Sequence, residues 1–199
     1  MKAQNILPSG WIASGAFIIG SLLLGSMLSD YSPVSQTVSE IGQSGSPLMM
    51  SWHIFSVSIG LLMLLFAIGI IFFAKQNKLS ILPGIFILSY GISQFGIGFY
   101  PSPHSLHNVF GLSMTIGYFS PLVIALSWKD RLGKNFRSIS ILTFILIILG
   151  VFLNLSPAFA PSLYPLEYYG IVQRFLLFTF YAYMGYVSIS CIQGSKSNL

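Results

Sequence analysis

The chain has 199 residues, 54% of them hydrophobic and 7% charged, with a formal charge of +5 and a mean hydropathy of +0.81. A soluble domain carries roughly 25% charged residues, so an ordinary soluble enzyme, a disordered tail and a nucleic-acid binder are excluded. A chain that meets lipid over most of its surface fits, and at about 20 residues per span six spans leave no room for a separate soluble domain.

Six apolar runs follow one another: Trp11–Leu28, Leu48–Ala74, Ile81–Phe99, Pro103–Trp128, Ile139–Leu155 and Tyr168–Ile192. They predict an all-α, polytopic six-transmembrane-helix bundle in a single domain over 1–199. The first run follows Lys2 and is longer than the apolar part of a signal peptide, without an Ala-x-Ala site. It reads as a retained span. Ala16, Gly20, Ser21 and Gly25 within it permit close helix contact, read here as internal packing. The lone Cys191 reads as a small apolar helix residue.

Lys and Arg are unevenly spread. Lys75 and Lys78 lie between spans two and three, and Lys129, Arg131, Lys134 and Arg137 between spans four and five. Lys2 and Lys196 mark the ends. The positive-inside bias then puts both termini in the cytoplasm of a multi-pass inner-membrane protein. The basic loops facing anionic lipid account for the pI.

The opposite side holds Asp30, Glu40 and Glu167, three of the four acids, together with His53, His104, His107 and Arg174. Chemistry is therefore expected at the outer face. Ser46-Pro47 and Ser102-Pro103 read as helix starts before spans two and four. Ser32-Pro33 repeats the signal in the first outer loop. There Val34, Val38 and Ile41 share one face and Ser35, Ser39 and Gly42 another, which predicts a short amphipathic helix over Pro33–Ile41, ended by Gly42.

In that helix Glu40 falls in the last turn, where the dipole disfavours an anion by up to about 1 kcal/mol. A Glu40–Arg174 ion pair would offset this and pin the loop to the bundle. Arg174, some four residues into span six, is also suited to a phosphate or carboxylate by its planar fork. His104 and His107 share a face at the start of span four. His53, His107 and Glu40, or Asp30, are the ligand set if a metal binds, and zinc suits them. Ser35 and Ser39 are candidate nucleophiles with His107 as base; both can equally bond to local backbone. Gln94, Ser93, Ser89 and Asn154 extend polarity into the bundle as interhelical hydrogen bonds, and Gln94 can line a pocket. Tyr181, Tyr183 and Tyr186 read as packing residues and interface anchors.

The run Tyr31-Ser-Pro-Val-Ser-Gln-Thr-Val-Ser-Glu-Ile-Gly42 resembles the first-loop motif of a prokaryotic membrane family, domain of unknown function 998. Gly96-Ile-Gly-Phe-Tyr-Pro101, His107 and Gly170-Ile-Val-Gln-Arg174 resemble its later motifs in the same order, with Tyr100 departing from the usual Phe-Pro turn. Ser39-Glu40-Ile41-Gly42 and Leu106-His107-Asn108 are also similar to the six-span Frag/DRAM-like proteins. The resemblance implies no activity. It implies that these outer positions belong together, and brings Gln173 into the set.

The expected function is an outer-face polar site that binds, and in its sharper form hydrolyses, a lipid or lipid-like anionic molecule such as a lipid head group. Ser39, Glu40 and His107 would be catalytic, and Arg174, Gln173, His53, His104, Gln94, Asp30 and Ser35 would bind the ligand. A set of Ser, Asp and His with zinc would be analogous to seven-span ceramidase-type hydrolases, whose spacing is not reproduced. A noncatalytic membrane receptor or assembly factor is the alternative. A transporter ranks below both, because no charge falls at mid-depth and no discontinuous helix pair is evident.

Overall fold

The computed structural model describes residues 3–196; Lys2 and the side chain of Lys196 lie outside the described residues. The helices are α1 (Pro8–Ser26), α2 (Met49–Gln76), α3 (Leu82–Phe99), α4 (Ser105–Gly117), α5 (Ser120–Ser127), α6 (Phe136–Leu155) and α7 (Tyr169–Lys196). In hydrocarbon every backbone polar group must be satisfied within the segment, so the apolar runs close as helices. Six of the resulting helical stretches are long and apolar enough to cross a membrane, with α4 and α5 forming one of them. The protein is a six-helix membrane-spanning bundle.

The spans pack in a ring: α1 on α2, α2 on α3, α3 on α4 and α5, α5 on α6, α6 on α7, and α7 back on α1. The α2–α3 seam is the tightest. A Cβ on Gly60 would stand 2.6 Å from the Phe95 backbone, so only a glycine lets these helices approach so closely. Of the small residues in α1, Gly20 lies against Phe55 of α2 and Gly25 against Tyr31 of the following loop.

Two boundaries differ from the sequence reading. Neither Ser46 nor Ser102 caps its helix. Ser46 stays in the turn ahead of α2, where its hydroxyl donates to Ile41 O (2.6 Å) and accepts from Leu48 N–H (3.2 Å). α4 starts at Ser105 with His104 as its cap. The fourth span is also broken at Tyr118–Phe119. Pro121 lacks the N–H that would bond Gly117 O, and its ring crowds that carbonyl, so the helix turns before α5.

The two ends of the bundle differ. The basic end carries the α2–α3 and α5–α6 connections. The loop end carries the α1–α2, α3–α4 and α6–α7 connections, and the candidate residues gather there.

Candidate functional site

The first loop does not form the helix expected over Pro33–Ile41. Residues 33–35 form a turn, and a 3-10 helix runs over Val38–Gly42 with Thr37 at its N-cap. Val38 and Ile41 are buried, while Val34, assigned to the same face, is exposed. The physical reason is the Thr37-x-x-Glu40 spacing, a capping-box signature. Glu40 Oε1 accepts from Thr37 N–H and from Thr37 Oγ1, both at 2.9 Å, and Gln36 Nε2 donates to Oε2 at 3.2 Å. Glu40 is thus in the first turn, where a carboxylate is favoured rather than penalised.

Arg174 makes no ion pair with Glu40. Its Nη1 donates to Pro33 O (2.7 Å), Gln36 O (2.7 Å) and Gly170 O (3.0 Å), and its Nη2 donates to the Tyr31 hydroxyl. The guanidinium also lies 5.5 Å from the Tyr31 ring centroid. At 7% exposure it is a backbone clamp, and both of its terminal nitrogens are committed to the loop. The expected ion pair is thus replaced by bonds to loop carbonyls, while Nε is buried without a hydrogen-bond partner. Tyr31 in turn donates to Thr37 O at 2.8 Å. Burial, the largest influence, raises its phenol pKa; nearby Arg174 works against this and Glu40 with it.

The rest of the Gly170-Ile-Val-Gln-Arg174 run serves the same contact. A Cβ on Gly170 would stand 2.5 Å from Gln36 O and 2.6 Å from Pro33 O. Ile171 N–H donates to Val34 O (3.0 Å), and Val38 N–H donates to Gln173 Oε1 (2.8 Å). The first turns of α7 therefore read the loop through its backbone. A second tie runs from Ser44 N–H to Ser102 O at 2.9 Å, joining the loop to the α3–α4 connection.

This scaffold brings Ser39 to His107. The imidazole is 9% exposed. Its Nδ1 lies 2.8 Å from Tyr100 O and its Nε2 lies 3.2 Å from Ser39 Oγ. A carbonyl can only accept, so Nδ1 carries the proton and Nε2 is the acceptor for the Ser39 hydroxyl. In the neutral ring the Ser39 hydroxyl therefore faces an unprotonated Nε2, and the imidazole is oriented by a main-chain carbonyl rather than a carboxylate. Tyr100, which departs from the family-like pattern, contributes through its backbone, while its ring stacks on Phe110.

Ser39 and His107 open onto a cavity of about 390 Å³. Gln173 and Asn154 line it near the loop end, Ser56 and Gln94 line it deeper, and Leu112, Met114, Leu176 and Leu177 are among its apolar walls. Gln94 Nε2 donates to Ser56 Oγ (2.8 Å) and its Oε1 accepts from the Tyr181 hydroxyl (3.1 Å). Glu40, one residue from Ser39, lines a different depression of about 330 Å³ with Asp30, Tyr31, Gln36 and Gln43. Opposite sides of one short helix thus serve two cavities.

None of the remaining expected residues lines the Ser39 cavity, although His53 interacts electrostatically with His107. Ser35 lies in the turn before the 3-10 helix, outside the Ser39 cavity. His104 is exposed and its Nδ1 accepts from Leu106 N–H at 3.1 Å, which caps α4. Asp30 is exposed and accepts from Ser29 Oγ at 3.4 Å. His53 is half-buried, its Nε2 without a hydrogen-bond partner, while its neighbours Trp52 and Ser56 line the cavity in its place. The set proposed for zinc does not converge: among the described residues no three of His, Cys, Asp or Glu are arranged to hold a metal ion.

Several participants escaped sequence reasoning. Thr37 is one: with Glu40, already a candidate, it carries the capping signature, which would have moved the helix start. Ser120-Pro121 inside a span signals the break. The carbonyls of Pro33, Gln36 and Tyr100 carry no side-chain signal at all.

A family model described as "Protein of unknown function (DUF998)" matches residues 11–190, and the chain belongs to that family. No curated protein and no solved structure matches the chain.

Proposed function

We propose that the protein is an integral membrane hydrolase that cleaves an ester of a lipid or lipid-like amphiphile, with Ser39 as nucleophile and His107 as general base. The observation that carries this reading is the 3.2 Å approach of Ser39 Oγ to His107 Nε2, with Nδ1 held on Tyr100 O, at the wall of a largely apolar cavity. By the Lys/Arg asymmetry the site faces outward from the inner membrane.

The chemistry balances with water as the only co-reactant. Ser39 Oγ attacks the ester carbonyl carbon and its proton passes to His107 Nε2. The carbonyl–alkoxy bond then breaks and His107 returns the proton to the leaving alcohol. Water attacks the acyl-serine, giving its proton to His107, and the acid departs as Ser39 Oγ is reprotonated. Gln173 supports the developing oxyanion. Its Oε1 is taken by Val38 N–H, which leaves the Nε2 amide free to donate, and Gln173 lines the same cavity as Ser39. Arg174 acts one step back, by holding the loop that presents Ser39.

The competing reading, a noncatalytic membrane receptor, draws on one observation: a carbonyl stands where a hydrolase triad has a carboxylate. Such a protein would retain lipid without turnover. A fluorophosphonate probe on the detergent-purified protein separates the two. The hydrolase is labelled on Ser39, and Ser39→Ala and His107→Ala lower labelling by roughly 10³-fold or more. Absence of labelling, or labelling that survives Ser39→Ala, rejects the hydrolase.

A further inference from the structure

The fourth span does not close the ring along its whole length. α5 packs on α6, and Phe119, just ahead of α5, lies 5.6 Å from Phe144 between centroids. α4, beyond the break at Tyr118–Phe119, packs on α3 and not on α6 or α7 to any comparable extent. With α5 packed on α6 and α4 not, α4 and α6 stand apart at the loop end, leaving a wedge between them. The back of the wedge is shut, because Asn154 Nδ2 on α6 donates to Val172 O on α7 at 3.2 Å. The Val38–Gly42 turn covers its top. The cavity fills this wedge, and residues of both flanking helices line it: Leu112 and Thr115 of α4, Val151 and Leu155 of α6.

Leu112 is 67% exposed and Leu155 51% exposed while both also line the cavity. Both lie on spans long and apolar enough to cross a membrane, where an exposed leucine is suited to meet an acyl chain. The cavity runs from His107 along α4 to Tyr118 just past its end, roughly 16 Å at about 1.5 Å per residue. Its polar reactive pair stands at the loop end and its far walls include Met114 and Tyr118.

We infer that the wedge between α4 and α6 is a lateral entrance through which one acyl chain of a bilayer lipid slides from the membrane, bringing its ester linkage level with Ser39. This deepens the hydrolase reading by naming the substrate as a membrane-resident acyl ester rather than a water-soluble one. The seating of the chain needs no turnover.

The test uses the full chain carrying Ser39→Ala in phosphatidylcholine nanodiscs, with a phospholipid bearing a diazirine at the end of one chain. Photolysis is expected to crosslink residues inside the cavity, Thr115, Tyr118 and Val151 above all. Thr115→Trp, which fills the space, is expected to abolish those crosslinks while crosslinks to the outward-facing Val109 and Ile116 persist. Crosslinks confined to outward-facing residues overturn the inference. So do cavity crosslinks that survive Thr115→Trp in a protein whose melting temperature is unchanged. If the cavity crosslinks as expected but the parent protein takes no fluorophosphonate on Ser39, the entrance stands and the hydrolase reading falls. If fluorophosphonate labels Ser39 but the diazirine stays outside the cavity, the enzyme stands and its substrate comes from water.

Discussion

At the basic end, Lys75, Lys78, Lys129, Arg131, Lys134 and Arg137 are all exposed. The interior there is closed by rings: Phe73 lies on Trp128 at 5.9 Å, Phe136 on Tyr186 at 5.6 Å, and Trp128 Nε1 donates to Ser80 O at 2.8 Å. At the loop end the single cation, Arg174, is buried, and the contacts that close the structure are polar. A charge at a lipid surface acts through number and position relative to the membrane, so each one is replaceable. A charge inside the membrane mouth acts through geometry, and needs its acceptors in place. The loop end spends polar contacts where a side chain must be held at a fixed angle to another, as Ser39 is to His107.

The largest break in that comparison should come from Arg174→Ala. It strands the carbonyls of Pro33 and Gln36 and takes one partner from the Tyr31 hydroxyl, at a cost of about 3 kcal/mol or more. Arg174→Lys should recover only part, because an ammonium cannot span the acceptors of a planar fork. Lys134→Ala at the other end should leave the melting temperature in detergent where it was. Equal effects of Arg174→Ala and Lys134→Ala would erase the distinction between the two ends.

Gly170→Ala is next. The added Cβ meets two carbonyl oxygens rather than a flexible side chain, and overpacking of this kind costs about 1–3 kcal/mol. Amide hydrogen exchange should quicken over residues 33–42 while α2 and α3 keep their protection. Uniform quickening across the chain would mean that the loop and the bundle are one cooperative unit.

Glu40→Gln should be milder, about 0.5–1 kcal/mol, since an amide oxygen can still accept from Thr37 N–H. Glu40→Gln should not rescue Arg174→Ala, as it would if the two formed a pair. A double-mutant cycle read by thermal unfolding decides this, and strong restoration would reinstate the pair.

The smallest effect concerns pH. Burial holds the Tyr31 phenol above its ordinary pKa. The stability this represents is therefore fully present below the unfolded value near 10 and is lost as pH rises through the higher folded value. The clamp should thus be indifferent between pH 7 and 9, and Tyr31→Phe should flatten part of the alkaline fall. An alkaline limb identical in the two proteins would show that Tyr31 stays protonated throughout the range or that its hydroxyl adds nothing.

The span count and the gathering of histidines and acids at one end were legible in the amino-acid order alone. Hydropathy over about 20 residues is a local property, and bilayer thickness turns it directly into a helix. The placement of Gln173, Arg174, Ser39 and His107 in one region followed from their positions at span ends. Which of them meet was decided only in three dimensions. Arg174 bonds to carbonyls, which every residue carries and no sequence displays. The choice of Ser39 over Ser35 depends on where the turn at residues 33–35 ends and the Thr37 cap begins, and a shift of that boundary turns every following side chain to a new direction. The wedge lies beside the break where Pro121 removes one ladder bond from a span that otherwise reads as continuous. Whether such a break opens a gap or closes one depends on the neighbouring helices, which the order of residues does not specify.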